Sequence, residues 1–354
     1  MTVNRHFANR TLLTVLCMLV TFFFAAREGS VQTIPTRQIP PRTLPTPETV
    51  SPEMQRILAT PIPDNWNTPP KSPDEWKAFA ETINRTPANL QPLRDRFGVK
   101  SEPIVVNGVK AYLLTPNDIP PQNRNRLLVH LHGGCYVLGG GEGATSEATY
   151  LAGYGHFKVL SIDYRRPPEF RYPAALDDAV SAWKAALKMA DPKRMAIFGA
   201  SAGGALTLST VLRLKQEGLP LPAAIGPGTP MSDLTKTGDS FYTNYMVDNV
   251  LVGPEGRCQA MAEQYAGGHD LKDPMLSPVY GDMRGFPPSI LTTGTRDLLL
   301  SNTVRVHRKL RQAGVVADLH VYEAQAHGHY LRDTPESREV FEEMARFFDR
   351  HLQK

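Results

Sequence analysis

From about residue 100 onward, short apolar runs alternate with longer stretches in which apolar residues recur every three or four positions. Residues 103–106 and 110–115 read as strands flanking Asn107-Gly108, a dipeptide that favours a tight hairpin turn. Residues 126–130 (RLLVH) and 157–162 (FKVLSI) are apolar runs bounded by turn residues, the pattern of strands buried on both faces. Residues 194–199, 289–294 and 318–322 read as further strands. Residues 174–189 predict a helix, with Leu176, Val180, Trp183 and Leu187 on one face. Residues 202–214, 301–313 and 336–352 predict others. Strands alternating with helices imply a mostly parallel sheet with helices on both faces, an α/β architecture. Residues 229–285, broken by Gly, Pro, Asp and aromatics, read as an insertion over the sheet's edge.

The first hundred residues follow another pattern. Arg5 and Arg10 precede an uncharged run at residues 11–26, shorter than the ~20 residues of a membrane-spanning helix. Residues 1–26 are therefore expected to be a secretory signal cut near Ala26, which places the mature protein outside the cell or in the periplasm. The alternative is an uncleaved anchor at residues 11–26. Prolines recur every few positions from residue 34 to residue 73, so residues 27–73 are expected to be a linker holding at most short helices. Ser72-Pro73-Asp74-Glu75 then looks like a capped helix start, opening a domain over residues 74–354.

Composition narrows the classes. Of 354 residues, 41% are hydrophobic and 21% charged, which excludes a disordered, collagen-like or polytopic membrane chain. Lys and Arg number 39 against 35 acids with no basic stripe, so no nucleic-acid partner is expected. Three cysteines cannot build a disulfide framework. Loss of Cys17 with the leader leaves Cys135 and Cys258, whose pairing the sequence leaves open.

The chemistry concentrates in three places. Gly199-Ala200-Ser201-Ala202-Gly203-Gly204 joins a strand to an Ala/Leu helix, a setting that projects a serine hydroxyl above a sheet with a helix N-terminus behind it. His132-Gly133-Gly134-Cys135 follows the strand RLLVH, and glycine amides there can turn toward an oxyanion, with Gly133, Gly134 and Ala202 as the donors. A serine needs a base, and His327 follows the strand at residues 318–322, while Asp297 follows the strand at residues 289–294. The order Ser201, Asp297, His327 is that of the α/β-hydrolase fold. His329 shares a face with His327 in an extended segment and is the rival base.

These motifs together resemble the hormone-sensitive-lipase-like branch of α/β-hydrolase carboxylesterases over residues 100–351. The resemblance rests on HGGC at His132, on Tyr164, Arg165, Pro168, Glu169, Pro173, Ala174 and Ala175, on GASAGG at Gly199, on GTRD at Gly294 and on His327. It implies a helical cap from residues 66–97 and 231–268, a brace under the active site from the Tyr164–Ala175 motifs, and Ser201, Asp297 and His327 as triad. Three positions depart from the branch: Cys135 replaces a glycine, Ala200 an aspartate and His329 an aromatic. A Cβ at Cys135 either narrows the acyl side or changes which amide donates. The segment from Gly228 to Ser240 is similar to monoterpene ε-lactone hydrolases, which keeps cyclic esters in view.

Competing readings are weaker. Gly139, Gly141 and Ala144 with Asp163 imitate a dinucleotide fingerprint, but the glycines do not follow their strand directly. His130 and His132, or His327 and His329, suggest a metal site that the strand-and-turn reading already explains. The expectation is a serine carboxylesterase of short or compact esters that uses no cofactor or metal and takes a small-molecule ester as substrate, meeting a membrane only through the N-terminal segment if that is uncleaved. Amide hydrolysis and a non-catalytic binding protein on the same scaffold are the alternatives.

Overall fold

The computed structural model describes residues 36–84 and 89–353. The chain divides into two units, Met1–Leu44 and Pro45–Lys354. Of the first, residues 36–44 are described; they are exposed and form no regular element. The expected leader at residues 1–26 lies outside the described residues.

The second unit opens with α1 (Pro52–Leu58), α2 (Pro73–Asn84) and α3 (Gln91–Phe97). The strands are β1 (Val99–Val106), β2 (Val109–Pro116), β3 (Leu127–Leu131), β4 (Lys158–Ile162), β5 (Met195–Ala200), β6 (Ala224–Gly228), β7 (Ser289–Gly294) and β8 (Ala317–Tyr322). Between and after them run α4 (Ser146–Gly155), α5 (Ala174–Ala186), α6 (Ala202–Gln216), α7 (Ser240–Thr243), α8 (Arg257–Ala266), α9 (Leu300–Gln312) and α10 (Pro335–His351). One sheet results, in the order β1-β2-β4-β3-β5-β6-β7-β8. β1 and β2 pair antiparallel, as do β2 and β4, and every other pair is parallel.

Alternate residues of each strand face opposite layers. Val129 and Leu131 of β3 join the core built with α5, α6 and α9. Leu128, with Phe198 of β5, joins the core built with α4 and α10. Parallel strands covered on both faces place their C-terminal ends, and the loops that follow, on one rim.

The structure corrects the sequence reading at five points. The interval from Ser51 to residue 73 is not a free linker. Ser51 caps α1, accepting from the Met54 amide at 3.1 Å, and its own amide and hydroxyl donate to Glu336 on α10. Met54 is fully buried beside Val50 and Ala324. The expected cap stretch at residues 66–97 divides in two. Trp66 packs edge-on against Tyr245, and its carbonyl accepts from the Arg257 amide, whereas α3 packs its Phe97 against Tyr150 and Tyr154 of α4. The insertion at residues 229–285 leaves β6 and returns to β7, two bonded neighbours inside the sheet, so it rises from the rim rather than the edge.

β6 itself was not anticipated, because AIGPG has neither alternation nor β-branched richness. It forms because all five residues are buried between β5 and β7, and Pro227, which has no N–H, falls where the β6–β7 pairing is interrupted between Ile225 and Gly228. α4 was missed because residues 147–153 are buried on every side, which leaves no polar face to show the helical period.

Candidate active site

β5 delivers Ser201 at its C-terminal end, and α6 begins at the next residue. The turn is tight. Ser201 has φ +59° and ψ −122°, a conformation L-residues rarely adopt. It is held by the Ser201 amide donating to the Gly228 carbonyl and by Met231 donating to the Ser201 carbonyl. A Cβ at Gly199 or Gly203 would lie about 2 Å from the Leu131 carbonyl oxygen, so both positions require glycine. The hydroxyl stands at the N-terminus of a 15-residue helix, where developing negative charge is favoured.

The loops after β7 and β8 meet it. His327 Nε2 lies 2.9 Å from Ser201 Oγ, and His327 Nδ1 lies 3.1 Å from Asp297 Oδ1. The three residues come from positions 201, 297 and 327, and each is 7% exposed or less. An ionised carboxylate only accepts hydrogen bonds, so Nδ1 carries the proton and Nε2 presents its lone pair to the serine. Burial alone would push the imidazole pKa down, but the charge and hydrogen bond of Asp297 outweigh it and raise it above the ordinary value. Burial likewise pushes Asp297 up, and the facing His327 together with its hydrogen bonds brings it below the ordinary carboxylate value. The arrangement can move a proton from a hydroxyl to an imidazole and hold the resulting cation beside a fixed anion.

His329 is committed elsewhere. Its Nδ1 accepts from the Ala326 amide at 3.2 Å and its Nε2 lies 2.9 Å from Asn249 Oδ1. Burial lowers its pKa to about 4.

The glycine loop after β3 closes the other side. A Cβ on Gly133 would sit 3.0 Å from the Ala200 carbonyl and 3.4 Å from Ser201 Cβ, which places this loop against the serine. Gly134 has φ +112°, and a Cβ there would overlap Leu138 backbone. Tyr164 Oη donates to the His132 carbonyl at 2.7 Å and its ring stacks on His132 at 4.0 Å, so of the motifs expected to brace the site Tyr164 supports this loop. Cys135 is joined to Cys258 by a disulfide. The residue replacing the family glycine is therefore a cross-link, not a small loop side chain.

Three residues of the site were not found from sequence. Thr229, just past β6, donates to Asp297 Oδ2 and lies 3.1 Å from His327 Nδ1. Asp248 is buried and accepts from the amides of Val250, Leu251, Leu298 and His327, which ties the insertion to both loops. Burial and the charge of Asp297 raise its pKa. Glu147 on α4 accepts from the Ala200 amide at 3.0 Å beneath the turn. Thr229 lay within a quoted motif but had no role there; Asp248 and Glu147 lack any local pattern.

The rival readings meet the same geometry. Asp163, the would-be ribose acid, accepts from Arg166 at 2.7 Å and from the Gly141 amide at 3.1 Å. His130 bonds Ser161 and Glu147, and His132 Nδ1 donates to the Gly133 carbonyl. Among the described residues no three His, Cys, Asp or Glu are grouped to hold a metal ion. A cavity of about 240 Å³ adjoins the glycine loop, lined among others by Trp66, Phe79, Leu138, Leu251, Met261 and both disulfide cysteines. A larger one, about 820 Å³, lies beside Lys77, Lys110, Arg165 and Glu169, and no triad residue lines either cavity.

Comparison with known proteins agrees with this geometry. Residues 128–331 match the family described by the α/β-hydrolase fold. An acetyl-hydrolase of Streptomyces hygroscopicus is 35% identical over 199 residues, covering 56% of this chain and 64% of that protein. The crystal structure of an esterase, E25, is 44% identical with a TM-score of 0.86, covering 90% of this chain and 99% of that one. An esterase structure from the bacterial hormone-sensitive lipase family is 30% identical with a TM-score of 0.72, covering 85% and 99%. The motifs, the sheet order and these similarities converge, and the chain belongs to the α/β-hydrolase family, in its hormone-sensitive-lipase-like branch of carboxylic-ester hydrolases.

Proposed function

We propose that this protein hydrolyses compact carboxylic esters through an acyl-enzyme formed on Ser201. The observation that carries the reading is His327 bridging Ser201 Oγ and Asp297 inside a buried site. His327 takes the hydroxyl proton as Ser201 Oγ attacks the ester carbonyl, and Asp297 steadies the imidazolium. The carbonyl oxygen, now negative, rests on the amides of Gly133, Gly134 and Ala202, where each donor is worth ~10²–10³ in turnover. His327 then protonates the departing alkoxide, and a water activated by the same imidazole releases the acid. Thr229 and Asp248 hold the two loops that carry the acid and the base.

Similarity to a protein named acetyl-hydrolase supports small acyl groups. The test is a panel of p-nitrophenyl acetate, butyrate and palmitate, a lactone, and p-nitroacetanilide. The expected result is the highest kcat/KM on acetate or butyrate, with palmitate and the anilide slower by about a hundredfold or more, the scale of a lost transition-state contact. A faster palmitate or anilide rate overturns the assignment to compact esters.

Export of the mature chain is part of the same proposal. The positively charged start and apolar run support it, as does a disulfide, a bond that persists in oxidising compartments. Mass spectrometry of the N-terminus after export is expected to find cleavage near Ala26, and an intact Met1 terminus would favour the anchor.

A further inference from the structure

Cys135 directly follows Gly133, which packs against Ser201, and Gly134, and its partner Cys258 is the second residue of α8, 123 positions away. Beyond those glycines the loop turns back through Cys135 and Tyr136 at φ +52° and +66°, two successive non-glycine residues in the left-handed region. Such backbone persists only where its surroundings over-determine it. The surroundings here belong to the insertion. Besides the disulfide, Tyr136 stacks on Tyr265, one heptad after Cys258 on the same helix, with ring centroids 4.2 Å apart. α8 is itself fastened: Arg257 donates its amide to the Trp66 carbonyl, Gln259 Nε2 donates to the Leu234 carbonyl, and the Tyr265 carbonyl accepts from the Tyr172 amide. The glycine loop is thus attached to β3 at one end and, covalently, to the insertion at the other.

We infer that the Cys135–Cys258 disulfide is a positioning element for the oxyanion hole. It clamps Cys135 to α8 so that the amides of Gly133 and Gly134 stay aimed above Ser201. The inference rests on the reading of those amides as oxyanion donors. Both sulfur-bearing residues line the 240 Å³ cavity, so a small dithiol can enter beside them. One thiolate of the dithiol attacks one cysteine sulfur, the Sγ–Sγ bond breaks, and the second thiolate closes the reagent's own disulfide. Two electrons pass to the protein, and each cysteine ends with one proton. The fold has an extensive core apart from this bond, so opening it frees the loop without unfolding the sheet.

The experiment uses the full-length enzyme before and after dithiothreitol, alongside Cys258→Ser. Active sites are counted by stoichiometric phosphonylation of Ser201, and kcat and KM for p-nitrophenyl acetate are expressed per counted site. The expected result is a 10- to 100-fold fall in kcat with KM within about threefold, up to the scale of one lost oxyanion donor. Reoxidation restores the rate, and Cys258→Ser starts low and ignores the reductant. A purely structural staple would instead lower the number of counted sites and leave kcat per site unchanged. That outcome overturns the inference, as does a rise in KM alone or full kcat in Cys258→Ser. Ser201→Ala is measured in parallel: if hydrolysis survives it, the reading beneath the inference has failed, whereas a Ser201-dependent enzyme indifferent to reduction removes only the clamp.

Discussion

Ser201→Ala is expected to lower kcat for p-nitrophenyl acetate about a millionfold, to the level left by the binding site alone. The size of the effect follows from the geometry. The hydroxyl is the only Ser201 side-chain atom bonded to the rest of the site, at 2.9 Å from His327 Nε2. Without it the imidazole has no nucleophile to deprotonate. The backbone at this position is held by bonds that alanine keeps: its amide to Gly228, its carbonyl to Met231 and Ala205. Alanine also adds no atom that must fit φ +59° beyond the Cβ serine already has. The variant therefore folds, with a melting temperature within a few degrees of the parent. Release of p-nitrophenolate and a thermal melt together check it, and turnover above about one per cent of the parent would remove Ser201 from its role.

His327→Ala is expected to cost nearly as much, since nucleophile and base act as a unit, while His329→Ala loses less than about tenfold in kcat. Both histidines are buried, but only His327 reaches Ser201. His329 spends both ring nitrogens on Ala326 and Asn249, so its loss weakens the loop by about 1–2 kcal/mol rather than removing the base. The pH profile separates them again. Only the neutral imidazole can accept the serine proton, and Asp297 raises the His327 pKa above the ordinary value of about 6.5. Lowering the pH through that raised value protonates the base. kcat/KM of the parent should therefore fall tenfold per pH unit on an acid limb centred above pH 6.5 and level off at higher pH. His329, held at about 4, is neutral throughout that limb, so His329→Ala leaves its midpoint in place. A midpoint that moves with His329, or an inactive His329→Ala beside an active His327→Ala, reverses the assignment.

The strands with a clear signal were those whose apolar runs are bounded by turns, such as β3 and β4. β6 and α4 escaped for a common reason. Their burial comes from neighbours distant in sequence: β5 and β7 around Pro227, and Phe97 of α3 seated over Gly153 of α4. No local alternation records such a neighbour. The site divides in the same way. Ser201, Asp297 and His327 were legible because each follows a strand and the strands come in a telling order. Thr229 and Asp248 were not, since a lone threonine or aspartate in an irregular insertion gains its role only when folding brings it beside the triad.

Sequence alone determined the strand–helix alternation, the strand-to-helix turn at Ser201, and the three chemical groups that such a turn calls for. These are properties of neighbouring residues: apolar period, the room a missing Cβ leaves, and the reactivity of a side chain. Only the tertiary structure decided between His327 and His329, joined Cys135 to Cys258, and set the insertion above the rim of the sheet rather than at its edge. Those outcomes depend on distances between segments a hundred residues apart, which the packing of both sheet faces fixes and local pattern does not encode.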